Sequence, residues 1–348
     1  MIPTGLGGID AEFLTGLMQD RCPGIRVVDA AIEGEIHGTA TKALLRLAYA
    51  PGPRGPDTLY VKGGWEDGSE ILRQVGIFAR EPRVYAELLP SLSVAAPRHF
   101  GAIWSDDMLD GVLLLENLDA AGAQIRTPES EIAADEANLA LNELARLHGG
   151  TFGKGRLPRG AWIRDLFSDA ARAGSYLNYI LEEKQLEHFL ALPRGAGIPD
   201  QLRDPGAIRQ AFAQTLAFAR GDTDHMLLHG DAHVGNSYVD GVGKPAFLDW
   251  QCVSRGGWAY DVAYYLVSTL SVGERRRQEE YLLLDYLGHL EAAGGPSLTP
   301  RRAMEHYRSY LCYGFLVWLA NSTSFQPESY NAIVAARFAA AMIDHGMA

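Results

Sequence analysis

The chain has 348 residues, a formal net charge of −12 and an apolar share of 47%, which is ordinary for a globular protein and too long for one core but suited to two lobes. The acidic balance, without clustered Lys and Arg, argues against a nucleic-acid surface. No apolar run reaches the roughly 20 residues of a membrane-spanning helix, and Met1-Ile2-Pro3-Thr4-Gly5 lacks a basic region followed by an apolar one, so a cytoplasmic protein with no membrane partner is expected. Cysteines 22, 252 and 312 are far apart and form no Cys-x-x-Cys pair, which leaves them as buried or incidental thiols.

Ile9 to Asp20 carries apolar residues at helical period, stopped by Cys22-Pro23-Gly24, and predicts an amphipathic leading helix. Val27 to Ile36 and Lys42 to Tyr49 are β-rich and flank His37-Gly38-Thr39-Ala40-Thr41, a hairpin with a flexible tip. After the Pro/Gly loop 51–56, Thr58 to Lys62 is a third strand closed by Gly63-Gly64. A helical pattern runs from Ser69 to Leu89 with Pro82 inside it, which predicts a kink or two joined helices. Val112 to Glu116 is a continuous apolar strand; polarity changes at Asn117-Leu118-Asp119. The lobe boundary falls there, giving an N-terminal lobe of residues 1–117 and a C-terminal lobe of residues 118–348. Beyond it Ala137, Ala140, Leu141, Leu144, Ala145 and His148 repeat at helical spacing up to Gly149-Gly150. A long helical stretch reaches Ala219. Short strands follow at Met226 to Leu228, Ser237 to Val239 and Pro245 to Leu248, and the chain from Tyr260 onward is helical.

Chemistry concentrates in Leu228-His229-Gly230-Asp231-Ala232-His233-Val234-Gly235-Asn236 and in Phe247-Leu248-Asp249-Trp250-Gln251. Phosphoryl transfer to an alcohol requires a carboxylate to orient the hydroxyl and take its proton, together with oxygen ligands for Mg²⁺. Asp231, Asn236 and Asp249 supply these groups, and Asp231-x-x-x-x-Asn236 has the spacing of the protein-kinase catalytic loop. Taken alone, Asp231 and Asn236 would read as a capped turn; the whole string with Asp249 behind it favours chemistry. The His229-x-Asp231-x-His233 portion alone would suggest a metal-dependent hydrolase, a reading that leaves Asn236 and the N-terminal lobe unexplained.

His-Gly-Asp-x-His-x-Gly-Asn followed by an apolar-Asp-Trp sequence resembles the aminoglycoside phosphotransferase and choline kinase superfamily. Asp249-Trp250-Gln251 and Gly257-Trp258-Ala259-Tyr260-Asp261 bring the chain nearest to the ecdysteroid-kinase-like (CHK-like) bacterial branch. The resemblance implies an α+β, two-lobe protein-kinase-like fold: a small N-terminal lobe with an antiparallel sheet, and a larger, mainly helical C-terminal lobe. It implies a kinase that uses ATP and Mg²⁺ to phosphorylate a hydroxyl of a small molecule, a hydroxylated hydrophobic compound ahead of an aminoglycoside or choline-like alcohol. A nucleotide-binding regulator that has lost transfer is the alternative on the same fold.

Roles follow from the same resemblance. Asp231 is the catalytic base, and Asn236 and Asp249 are the metal ligands. Lys62 holds the α- and β-phosphates and pairs with a helix glutamate, Glu81 by position, although the following Pro82 keeps Glu70 and Glu87 open. Gly38 and Thr39 at the hairpin tip are placed to touch phosphates, with a plain β-turn almost as good a reading. Glu116 and Leu118 occupy the hinge whose backbone recognises adenine. His229 is read as structural, His233 as ambiguous between site and packed loop residue, and Asp261 as a brace for the catalytic loop.

Overall fold

The computed structural model describes residues 2–66, 70–153, 162–168 and 176–347. They form two compact units, Met1–Gln124 with Tyr238–Val253, and Ile125–Ser237 with Ser254–Ala348. The stretch carrying Asp249 lies downstream of the expected boundary at Asn117 yet packs within the first unit.

In the first unit, α1 (Ala11–Met18) starts where the Asp10 side chain accepts the Phe13 N–H at 2.8 Å, satisfying one of the helix's orphan donors. Strands β1 (Val27–Ile36), β2 (Thr41–Tyr49) and β3 (Thr58–Gly63) follow. Next come α2 (Glu70–Gln74), α3 (Ile77–Arg83), β4 (His99–Trp104) and β5 (Gly111–Glu116), and the two-residue β6 (Gln124–Ile125) straddles the border with the second unit. The sheet has the order β1-β2-β3-β5-β4, with all neighbours antiparallel. Side chains alternate across a strand. Ala43, Leu45, Leu47, Leu59, Val61, Val112 and Leu114 therefore pack with Leu14 and Met18 of α1 in one core. The same alternation turns Lys42 and Lys62 to the other face of the sheet.

The helical pattern expected from Ser69, a residue outside those described, breaks at Gly76 instead of Pro82. Gly76 takes a φ of 70°, which glycine adopts without a Cβ penalty. Pro82 sits inside α3 one residue before its end, and a π-helical turn, Val84–Leu88, follows. Proline offers no N–H to the preceding turn, so the helix widens where its regular ladder is interrupted. Strand β4 escaped the sequence reading because Phe100-Gly101-Ala102 breaks its alternation, and the β4–β5 register shifts at that point.

The second unit opens with α4 (Ala134–Thr151), whose buried stripe is Ala137, Ala140, Leu141, Leu144, Ala145 and His148. It continues through β7 (Arg164–Asp165), α5 (Tyr176–Ile180), α6 (Glu183–Ala191) and α7 (Pro205–Gly221) to β8 (His225–Leu228). The chain crosses into the first unit within β9 (Ser237–Val239), turns at Asp240, whose carboxylate accepts the Val242 and Lys244 amides, and runs along β10 (Pro245–Phe247). It returns in β11 (Ser254–Gly257), antiparallel to β8 and parallel to β7. Helices α8 (Ala259–Thr269), α9 (Val272–Ala292), α10 (Pro300–Ser309), α11 (Leu311–Ala320) and α12 (Glu328–Asp344) complete it. Arg194, almost fully buried, donates to the Trp318 and Leu319 carbonyls at the end of α11 and pairs with Glu328 at the start of α12. It thereby fixes the corner between two helices. Among the described residues no helix is long and apolar enough to cross a membrane.

Gly101 of β4 lies against α1: a Cβ there would come within 2.6 Å of the Leu17 carbonyl oxygen, a backbone atom that cannot swing aside. Gly101→Ala is expected to cost about 2 kcal/mol, as forced overpacking does, and to lower the urea midpoint at unchanged slope.

Candidate functional site

Lys62 is the fifth residue of β3, one step past the core-facing Val61, and so emerges on the face away from α1. Its Nζ lies 2.6 Å from Oε2 of Glu81 and 2.8 Å from Oδ1 of Asp249. Glu81 comes from α3, and helical geometry persists there despite Pro82. Of the glutamates left open, Glu81 is the one that meets Lys62. Its other oxygen, Oε1, accepts the Trp250 amide at 3.2 Å. Arg80, the neighbour of Glu81, donates to the carbonyls of Val75 and Gln251, so α3 holds Trp250 and Gln251. Asp249 has a φ of 64°, a left-handed conformation that Asp tolerates better than most residues. That bend directs its carboxylate to the lysine straight after β10.

One buried ammonium thus serves two carboxylates. Burial alone would lower the Lys62 pKa; Asp249 and then Glu81 outweigh it and hold the amine above the usual lysine range. Burial pushes Glu81 above the usual carboxylate range against the pull of Lys62, with Asp249 adding to the rise.

The second unit holds Asp231 and Asn236 between β8 and β9. Asn236 Nδ2 donates to Asp231 Oδ2 at 3.0 Å and to the Asp231 carbonyl at 2.9 Å. The turn is tightened by Asp231 O accepting the His233 amide and His233 O accepting the Asn236 amide. Because Nδ2 points at Asp231, the amide oxygen of Asn236 is the atom with which a hard cation could be met.

Both motif histidines turn a ring nitrogen to the backbone. His229 Nδ1 accepts the Asp231 N–H at 3.3 Å and His233 Nδ1 accepts the Gly235 N–H at 3.0 Å. Those lone pairs would be needed by a metal, and among the described residues no group of three His, Cys, Asp or Glu is arranged to hold one. Both rings are thus engaged in holding the loop backbone.

Beneath the loop lies a buried polar chain. Asp261, in the first turn of α8, accepts the His229 amide at 2.7 Å and the Gly230 amide at 3.0 Å. His148 of α4 reaches Asp261 Oδ2 through Nε2 at 3.1 Å, and its Nδ1 meets the Tyr286 hydroxyl at 2.7 Å. A carboxylate accepts at Nε2, so that nitrogen carries the proton and the tyrosine donates to Nδ1. Tyr260 adds a hydrogen bond to the Gly230 carbonyl at 3.1 Å. Asp261 is the brace that the sequence suggested. His148 enters the sequence reading only through helix periodicity and Tyr260 only within the Gly257–Asp261 string, although a histidine on an otherwise Ala/Leu stripe is the visible signal of a buried partner.

The remaining expected contacts lie in the first unit. Gly38 and Thr39 are half-buried at the hairpin tip, and it is Thr41 whose hydroxyl is engaged, donating to Glu66 Oε1 at 2.8 Å. Glu116 closes β5, where its side chain accepts the Arg98 amide at 2.6 Å, and the Leu118 carbonyl accepts the Ala123 amide at 2.9 Å.

A sheet that presents a paired lysine, followed by a mainly helical unit whose Asp-x-x-x-x-Asn loop hangs from a buried aspartate, defines a protein-kinase-like α+β fold of two lobes. The chain belongs to the phosphotransferase enzyme family (APH), whose sequence model matches residues 72–300. Its structure is similar to that of an ethanolamine kinase from Plasmodium vivax, with a TM-score of 0.53 and 15% identity over 92% of this chain and 83% of that one. It is also similar to LicA in complex with AMP, with a TM-score of 0.51 and 14% identity over 97% and 99% of the two chains. The macrolide 2'-phosphotransferase MphH from Brachybacterium faecium aligns with a TM-score of 0.48 and 18% identity over 94% and 97%. No curated protein gives a significant match to the sequence.

Removing the Lys62 amine would strand the buried Glu81 carboxylate and the half-buried Asp249 carboxylate. Lys62→Met is expected to cost about 3–5 kcal/mol at neutral pH, as breaking a buried pair does. The cost shrinks on acidification, because Glu81, already raised, then takes a proton. In the wild type the sign is opposite: with its folded pKa raised, Lys62 contributes its full stability below the ordinary value of 10.5 and loses it as pH rises through the folded value. Denaturant midpoints across pH check both trends.

Proposed function

We propose that this small-molecule kinase transfers the terminal phosphoryl group of ATP, as its Mg²⁺ complex, to a hydroxyl group. The observation that carries the reading is Lys62 fixed between Glu81 and Asp249. An unpaired lysine on a strand would swing freely; one clamped by two carboxylates from distant parts of the chain is held in one place for a ligand's phosphates. The AMP bound by LicA, whose fold this chain shares, supports an adenine nucleotide.

In this reading Asp231, held by Asn236, accepts a hydrogen bond from the acceptor hydroxyl and orients it. The hydroxyl oxygen forms a bond to the γ-phosphorus, the bond from that phosphorus to the bridging oxygen breaks, and ADP leaves. The proton released from the hydroxyl goes to Asp231 and then to solvent. Lys62 stabilises charge on the phosphates, an effect strengthened by its burial. Asn236 and Asp249 each carry an oxygen of the kind a hard cation takes; they are the residues that would hold Mg²⁺, whose charge would offset that of the phosphates during transfer. Gly38 and Thr39 cover the phosphates, and the backbone at Glu116 and Leu118 takes the adenine. The acceptor is a hydroxylated small molecule, and nothing in the acidic surface calls for a nucleic acid.

Mg-ATP is expected to raise the melting temperature of the wild type, by about 2.7 kcal/mol of stability at a hundredfold excess over its dissociation constant. Phosphate transfer to at least one alcohol in a substrate panel is expected, and Asp231→Asn should lower its kcat by at least a hundredfold while keeping the Mg-ATP shift. Intact transfer in Asp231→Asn would sink the mechanism, and nucleotide binding without transfer to any alcohol would leave a regulator in its place.

A further inference from the structure

Lys62 has a neighbour that the motifs do not include. In the β2–β3 pairing Lys42 stands directly opposite Lys62, and side chains of directly opposed residues lie on the same face, with Cβ atoms about 4.5–5.5 Å apart. Both lysines therefore rise from the face turned away from Ala43, Val61 and the α1 core. Lys42 is half-buried. Its side chain makes no hydrogen bond or ion pair among the described residues, while Lys62 has two carboxylates to itself.

That arrangement is costly as it stands. Like charges directly opposite each other destabilise a sheet, and an amine taken partly out of water without a partner loses hydration. Burial first, and then Lys62, push the Lys42 amine below the usual lysine range, with Asp249 and Glu81 only partly compensating. Lys42 is also the second residue of β2, directly after the tip 37–40. A lysine that merely covered apolar surface would not need to face another ammonium. Two ammonium groups side by side at the root of a hairpin suit an anion with several charges, such as a chain of phosphates, that can lie across both.

Resting on the nucleotide reading above, we propose that Lys42 is a second phosphate-binding cation, which contacts the polyphosphate of the nucleotide beside Lys62 and sets a preference for ATP over species with fewer phosphates.

Calorimetric titration of the full chain with Mg-ATP, Mg-ADP and adenosine tests this. Lys42→Met keeps the aliphatic stem and removes only the charge. It is expected to weaken Mg-ATP binding by about tenfold, the loss of one charge-assisted contact. Mg-ADP should be weakened less and adenosine not at all. The ligand-free variant should melt no lower than the wild type, since a like-charge pair has gone. If Lys42→Met binds Mg-ATP as tightly as the wild type, the assignment to Lys42 is wrong and the kinase reading stands. If its binding of adenosine falls equally, Lys42 is a structural residue and the proposal is overturned. If the wild type itself binds no Mg-ATP, the nucleotide reading fails and takes this one with it.

Discussion

The ammonium of Lys62 between Glu81 and Asp249 is the constraint on which the first unit's organisation depends. Each partner is brought by a different device: β3 alternation presents the lysine, α3 presents the glutamate, and a left-handed residue after β10 presents the aspartate. Isolated, Lys62 or Glu81 would be an expensive buried charge. Together they neutralise one another incompletely, leaving one more carboxylate than ammonium. A site built this way is poised for ionic ligands, because the ligand's charges complete a set that the protein leaves unfinished.

The second unit solves a different problem, that of holding a loop. Asp231 and Asn236 lie on a turn with little regular structure of its own, and such a turn keeps its shape only if its backbone groups are bonded. Asp261 takes two consecutive amides, Tyr260 donates to the Gly230 carbonyl that follows them, and His148, itself held by Tyr286, meets the aspartate from behind. Rigidity in the loop is thus borrowed from α4, α8 and α9, whose cores are deeply packed. Asp231 need not be fully buried to be fixed.

Much of this was legible in the sequence, and the reason is physical. Asp231, Asn236 and Asp249 stood out because polar residues between apolar strands have few structural excuses to cluster, and the three strands around Lys62 announce themselves by alternation. Glu81 was harder, since the proline after it argues against a helix; only tertiary packing shows that the helix survives for one more turn residue. The break at Gly76 was masked by the more conspicuous Pro82. Strand β4 carries a glycine and a register shift, so its alternation is not visible in one dimension. Lys42 was invisible for another reason: it lies among β-formers as an ordinary lysine, and its meaning depends on which residue sits across from it.

The order in which the chain is made bears on the first unit. Lys62 and Asp249 are 187 positions apart, and the whole of Ile125–Ser237 is synthesised between them. Closing so long a loop is entropically slow. On a ribosome the five-stranded sheet can collapse long before the residues that neutralise Lys62 exist. During that interval the lysine has only Glu81 for company, and the sheet waits with its charge half answered. The first unit is therefore the first to begin folding and cannot be the first to finish, because its completion waits for residues made after Ile125–Ser237.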